Sequence, residues 1–231
     1  MNAEEGPSTS DRPRAVVSWS TGKDAAFALY EERRRGEVEI VGLLSTLTET
    51  FHRVSMHGVR EEILDLQARA LGLPVLKVPI PSPCPNEVYE RAMATAIAEL
   101  RRERVGRIVF GDLFLEDVRR YREERLAGTG IEPRFPLWGR PTPALAEEML
   151  GAGVSARIVS LDPRRLPRRF AGRAFDRSLL AELPGDVDPC GERGEFHTCV
   201  VAGPMFDAPL RVRRGPIVDR DGFVFADLIP E

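Results

Sequence analysis

Apolar residues along this chain alternate between short unbroken runs and stretches spaced three or four apart, a pattern of strands followed by helices. Ala15-Val16-Val17 is a strand-like run, and Ala26, Leu29 and Tyr30 begin a helical face that stops at Gly36. Glu39 to Leu47 is β-rich and apolar enough for a buried parallel strand. Val59, Ile63, Leu66 and Ala70 keep helical spacing before Gly72. Val75 to Ile80 reads as a strand closed by Pro81 and Pro83, and Val88, Ala92, Ala96, Ile97 and Leu100 mark the next helix. Arg107 to Phe110 is a short strand running into Gly111-Asp112. A charged helix over 116–127 follows, then a strand near Phe135, a helix after Pro141 and a strand over 156–161.

Such alternation predicts an α/β fold: a doubly wound, mostly parallel sheet of Rossmann-like type, with ligands at the carboxyl ends of its strands. The pattern changes after Leu161, where Pro163, Pro167, Pro184 and Pro189 interrupt it and the last strands form a hairpin turning at Asp221-Gly222. An α/β domain is therefore expected over 14–161. A small C-terminal β-containing subdomain over 162–231 packs on it and lends side chains to the cleft. Residues 1–13, polar and rich in Ser, Pro and Gly, read as a disordered tail.

Composition narrows the setting. With 231 residues and 42% hydrophobic content the chain can bury a full core, and a net charge of -3 argues against nucleic acid as a partner. Three cysteines, Cys84, Cys190 and Cys199, do not make a secreted disulfide framework, and the absence of a C-x-x-C pair argues against zinc. No stretch is apolar enough for a signal peptide or a membrane span, so a cytoplasmic protein is expected. Pairing of two copies into a homodimer stays open.

The chemistry starts at residues 18–25, S-W-S-T-G-K-D-A, where a strand meets a helix. The first amides of a helix lack intrahelical partners and carry the positive end of its dipole, so they suit a phosphate. A Walker loop would need glycine where Val17 stands and Ser or Thr where Asp24 stands. An acid after the lysine suits a different chemistry. Asp24 can hold Mg²⁺ on pyrophosphate while Lys23 neutralises the leaving charge, which points to ATP cleaved between its α- and β-phosphates. Lysine occurs only at Lys23 and Lys77 in an arginine-rich chain, so Lys23 is not background usage.

This loop resembles the pyrophosphate-binding loop (PP-loop) of the adenine-nucleotide alpha-hydrolase superfamily, usually Ser-Gly-Gly-x-Asp-Ser, with Thr21 at a glycine position and Ala25 in place of the closing serine. Within that superfamily, residues 111–139 and the segment Gly191-Glu-Arg-Gly-Glu-Phe-His-Thr198 resemble the diphthine-ammonia ligase family. The resemblance implies a PP-loop-type fold, ATP and Mg²⁺ as cofactors, a carboxylate substrate and ammonia. It implies nucleotide contacts at Ser18, Ser20, Thr21, Gly22, Lys23, Asp24, Gly111 and Asp112. Catalytic roles fall to Lys23, Asp24 and the Glu-x-Gly-Glu acids Glu192 and Glu195, with His197 where the motif has a third acid.

His57 and Arg60, just past the second strand, can meet a carboxylate or phosphate or simply open the next helix. Asp112, Glu116 and Tyr121 can contact substrate or cap and coat a helix, and Trp138 can line the pocket or pack as core. Two other functions compete with the ligase: an ATP or AMP sensor without turnover, and a PP-loop enzyme that adenylates a nucleic-acid base.

Overall fold

The computed structural model describes residues 12–231. The expected tail therefore lies outside the described residues up to position 11. Arg12 and Pro13, assigned to that tail, already approach the sheet, for Pro13 O accepts the Glu39 amide at 3.0 Å.

The parallel sheet is built from β1 (Arg14–Ser18), β2 (Glu39–Thr48), β4 (Val75–Ile80), β5 (Arg107–Val109) and β6 (Glu132–Arg134), in the order β4-β2-β1-β5-β6. A two-residue strand, β3 (Arg53–Val54), adds antiparallel to the end of β2. Strand periodicity sends successive side chains to opposite faces. Ala15 and Val17 join the core under α1 (Lys23–Arg35), α2 (Glu61–Leu71) and α5 (Thr142–Gly151). Val16 and Ile108 pack on the other face, against α3 (Asn86–Arg102) and the end of α4 (Glu116–Leu126). The expected Rossmann-like, doubly wound α/β arrangement is what forms.

One expected strand changes sheets. β7 (Ser155–Leu161) pairs antiparallel with β8 (Phe196–Ala202) and β10 (Phe223–Pro230), and β9 (Val212–Arg220) completes a second sheet, β8-β7-β10-β9. The antiparallel sheet thus begins at Ser155, ahead of the boundary expected near 162, because a strand buried along nearly its whole length looks alike in either sheet. The hairpin turns where expected, with Asp221 and Gly222 both left-handed at φ 51° and 82°.

The two sheets share one apolar core, to which Ala26 and Leu64 of the first layer and Val200 and Val224 of the second all belong. Polar staples fix their relation. Gln67 of α2, fully buried, donates to Thr21 O at 3.1 Å and Val200 O at 2.8 Å while accepting from Trp19 Nε1 at 2.8 Å. Asp227 of β10 takes Arg60 through both oxygens and Arg53 at 2.9 Å.

Candidate active site

A cleft of about 850 Å³ opens at the carboxyl ends of the parallel strands and is walled on one side by β8 and the turn before it. Of the expected residues it collects Ser18, Ser20, Lys23, Asp24, His57, Gly111, Asp112, Glu192 and His197.

The start of α1 is assembled by close backbone approach. Gly22 is the N-cap, in extended conformation and without a side-chain cap. A Cβ there would lie 2.9 Å from His57 Cε1 and 3.3 Å from Thr198 O, so any side chain at this position would push the imidazole aside. Gly111 is tighter still: a Cβ would stand 2.7 Å from Ala25 N and from Asp24 C, so the loop leaving β5 presses on the first turn of α1. The Lys23 amide is already taken by Thr198 Oγ1 at 3.1 Å.

Thr21 departs from its expected nucleotide contact. It is fully buried, its carbonyl accepts the Val200 amide at 2.9 Å, and its hydroxyl has no partner. Its φ of 71° lies in the left-handed region, costly for a β-branched residue, which is why a glycine suits this loop position.

Lys23 is 1% exposed and its ammonium is fully engaged. Nζ donates to both Asp24 oxygens, at 3.0 and 2.9 Å, and to Cys190 O at 2.5 Å, using its three N–H bonds. The rings of Phe175 and Phe196 lie 5.3 and 5.6 Å away. Burial works to lower the Lys23 pKa, but Asp24 and the acids behind it outweigh burial and leave it raised. Burial raises the Asp24 carboxyl against the pull of Lys23.

Glu192 accepts the Leu113 amide through Oε1 at 2.8 Å. Burial pushes its carboxyl up to about 7, with the Leu113 amide opposing the shift and the charges of Asp24 and Asp112 adding to it. In the same cleft the His57 and His197 rings lie 4.6 Å apart. Burial and the nearby Lys23 charge hold His197 down at about 4, and burial, His197 and Lys23 hold His57 well below its usual value. Both imidazoles are therefore neutral. His57 Nδ1 is 3.2 Å from Thr198 O, which can only accept, so Nδ1 carries the proton and Nε2 has the free lone pair.

Other expected residues stay out of the cleft. Glu195 is fully buried behind it and does not line it, accepting the Asp188 amide at 3.1 Å and pairing with Arg165 at 3.3 Å. Arg60 is spent on Asp227. Glu116 is exposed beside the helix start, and Tyr121 is exposed with Arg125 over its ring at 5.3 Å. Trp138 packs against Phe135, and both receive the Arg119 guanidinium, at 4.8 and 4.9 Å. Asp112 does line the cleft, but it caps no helix; it forms a two-point pair with Arg122 at 2.6 and 3.0 Å.

Arg122, Asn86, Tyr89 and Phe223 line the cleft without having been expected there. Arg122 lies on the charged helix expected over 116–127, and its guanidinium sits 4.3 Å from the Phe110 ring. Among the described residues no helix is long and apolar enough to cross a membrane.

Comparison with known proteins identifies the family. The family profile described as the diphthamide synthase N-terminal domain matches residues 13–131, and that of the diphthamide synthase C-terminal domain matches residues 142–223. The chain is 27% identical over 236 aligned residues to proteins named diphthine--ammonia ligase from Bos taurus and Homo sapiens, covering 92% of this chain and 88% of each relative. A protein of the same name from Danio rerio is 27% identical over 217 residues, covering 84% of both chains.

Proposed function

Since the chain belongs to the diphthamide synthase family, we propose that it is an ATP-dependent, AMP-forming ligase that joins ammonia to a carboxylate. A carboxylate oxygen attacks the α-phosphorus of ATP, the bond to the β-phosphate oxygen breaks, and pyrophosphate leaves. Ammonia then attacks the acyl carbon of the adenylate, AMP departs with the bonding pair, and the nitrogen loses a proton.

The observation that carries this reading is the meeting, in one cleft at the strand ends, of the Lys23–Asp24 pair on a helix N-terminus with Glu192 and two neutral imidazoles. Phosphate charge is met by the α1 dipole and by Lys23, which exchanges Asp24 for phosphate oxygens while Cys190 O still holds it. The donor set fits Mg²⁺, which takes one or two carboxylates and completes its shell with phosphate oxygens and water. Asp24, 27% exposed at the cleft, is the carboxylate for it. An ion held by Asp24 would supply positive charge against the pyrophosphate.

Glu192, with its carboxyl near 7, suits the proton released by the attacking nitrogen, since a base works best when its pKa is close to the working pH. The Nε2 lone pair of His57 and the neutral ring of His197 offer hydrogen bonds to the acceptor without adding charge.

Pyrophosphate release with and without ammonium tests the proposal. With ATP, Mg²⁺ and a carboxylate acceptor, release that ammonium accelerates, accompanied by AMP, is the expected result. Tight ATP binding with no pyrophosphate under any condition would instead make the protein a nucleotide sensor.

A further inference from the structure

Behind the cleft wall a buried acid holds the turn that reaches two groups lining the cleft, Lys23 and Glu192. Asp188 is 7% exposed and precedes the turn that carries Cys190 and Glu192. Its Oδ1 accepts the amides of Cys190 at 2.9 Å and Glu192 at 3.3 Å, and its Oδ2 accepts Thr142 Oγ1 at 2.6 Å, at the first residue of α5. Those two amides flank the Cys190 carbonyl on either side along the chain, so pinning them fixes the direction of the oxygen that holds Lys23 Nζ at 2.5 Å. The second amide also sets the backbone from which Glu192 reaches the Leu113 amide at 2.8 Å.

The anchor is itself anchored. The Asp188 amide donates to Glu195 Oε1 at 3.1 Å, Arg165 stands 3.3 Å from that oxygen, and the Asp188 carbonyl accepts the Gly191 amide at 2.8 Å. Gly191, at φ 72°, admits no side chain, since a Cβ would lie 2.7 Å from Phe196 O. A carboxylate with three protein donors and almost no exposure has a fixed geometry, and so does whatever it holds.

We propose that Asp188 is a positioning residue for Lys23: it aims the Cys190 carbonyl that keeps the ammonium beside the phosphate loop, with Glu195 as its support. The link joins the turn of the C-terminal sheet, through Thr142, to the helix that follows the parallel sheet. Its effect on nucleotide binding rests on the ligase reading above; its effect on Lys23 does not.

The full chain has only two lysines, Lys23 and Lys77, so a sample labelled with ¹⁵N and ¹³C at lysine gives two side-chain signals, which Lys77→Arg assigns. The wild-type Lys23 ammonium is expected to exchange slowly with water and to stand apart from Lys77. Asp188→Ala should shift that signal or lose it to exchange, with Lys77 and the circular dichroism unchanged. Asp188→Asn, which keeps an acceptor for both amides, should restore it. Affinity for a magnesium complex of a non-hydrolysable ATP analogue should fall about tenfold or more in Asp188→Ala and largely recover in Asp188→Asn, as when a supporting residue behind a binding group is removed.

An unmoved Lys23 signal in folded Asp188→Ala overturns the proposal. If that variant does not fold, Thr142→Val, which removes one partner of the same carboxylate, carries the test, and an unmoved signal there overturns it equally. A Lys23 signal that answers to Asp188 in a protein that never binds the analogue leaves the positioning role standing and removes the ligase reading.

Discussion

Thr21 and Glu192 show how single residues carry cost into the site. Thr21 combines a left-handed backbone with a buried hydroxyl that has no partner, and each is unfavourable for a β-branched side chain. Thr21→Gly should raise stability by about 1 kcal/mol, the strain relieved exceeding the small apolar area lost. Urea denaturation checks this, and a loss of stability would mean that the methyl group packs for more than the strain costs. Glu192 works through protonation. Between its ordinary 4.5 and about 7 the folded chain keeps a proton that the unfolded chain has released, so this carboxyl's contribution to stability falls as pH rises through that window. Glu192→Gln should therefore gain on the order of 1–3 kcal/mol near pH 8 and nothing near pH 4, and equal gains at both would contradict the raised pKa. His197 has the opposite sign: its folded value near 4 means that stability is lost as pH drops below 6.5.

Elements meet at Gly111, where the loop leaving β5 runs directly against the first turn of α1. The obstructing atoms are backbone, which cannot rotate away, so Gly111→Ala should cost on the order of 1–3 kcal/mol and weaken ATP binding by displacing the helix start. Thermal unfolding together with calorimetry of nucleotide binding measures both, and a variant with unchanged values in each would show that the contact is slack. The elements themselves were legible because their apolar spacing is regular: α2 and β4 fall where the periodicity put them. The sheet that β7 joins was not, since burial along nearly its whole length erases the distinction. Within the site, the strand-end loop and Glu192 could be read from type and spacing. Glu195 could not be told from Glu192, because two acids three residues apart give no sign of which one turns inward. Arg122 was hidden in a run of charges whose partners, Asp112 and Phe110, are set only by the fold.

At the scale of the molecule, one apolar core and a few buried polar staples lock the antiparallel sheet onto the parallel one. The cleft is made at their junction. Lys23 belongs to the first layer and its carbonyl anchor to the turn leading into the second, so the site exists only when both are seated. The central claim is that polyphosphate binds at the start of α1 through Lys23. Isothermal titration calorimetry of a non-hydrolysable ATP analogue with Mg²⁺, on the wild type and on Lys23→Ala, tests it most directly. Magnesium-dependent binding by the wild type, lost in a Lys23→Ala protein that keeps its fold, is the predicted result; equal binding by both proteins, or none by the wild type, would contradict it.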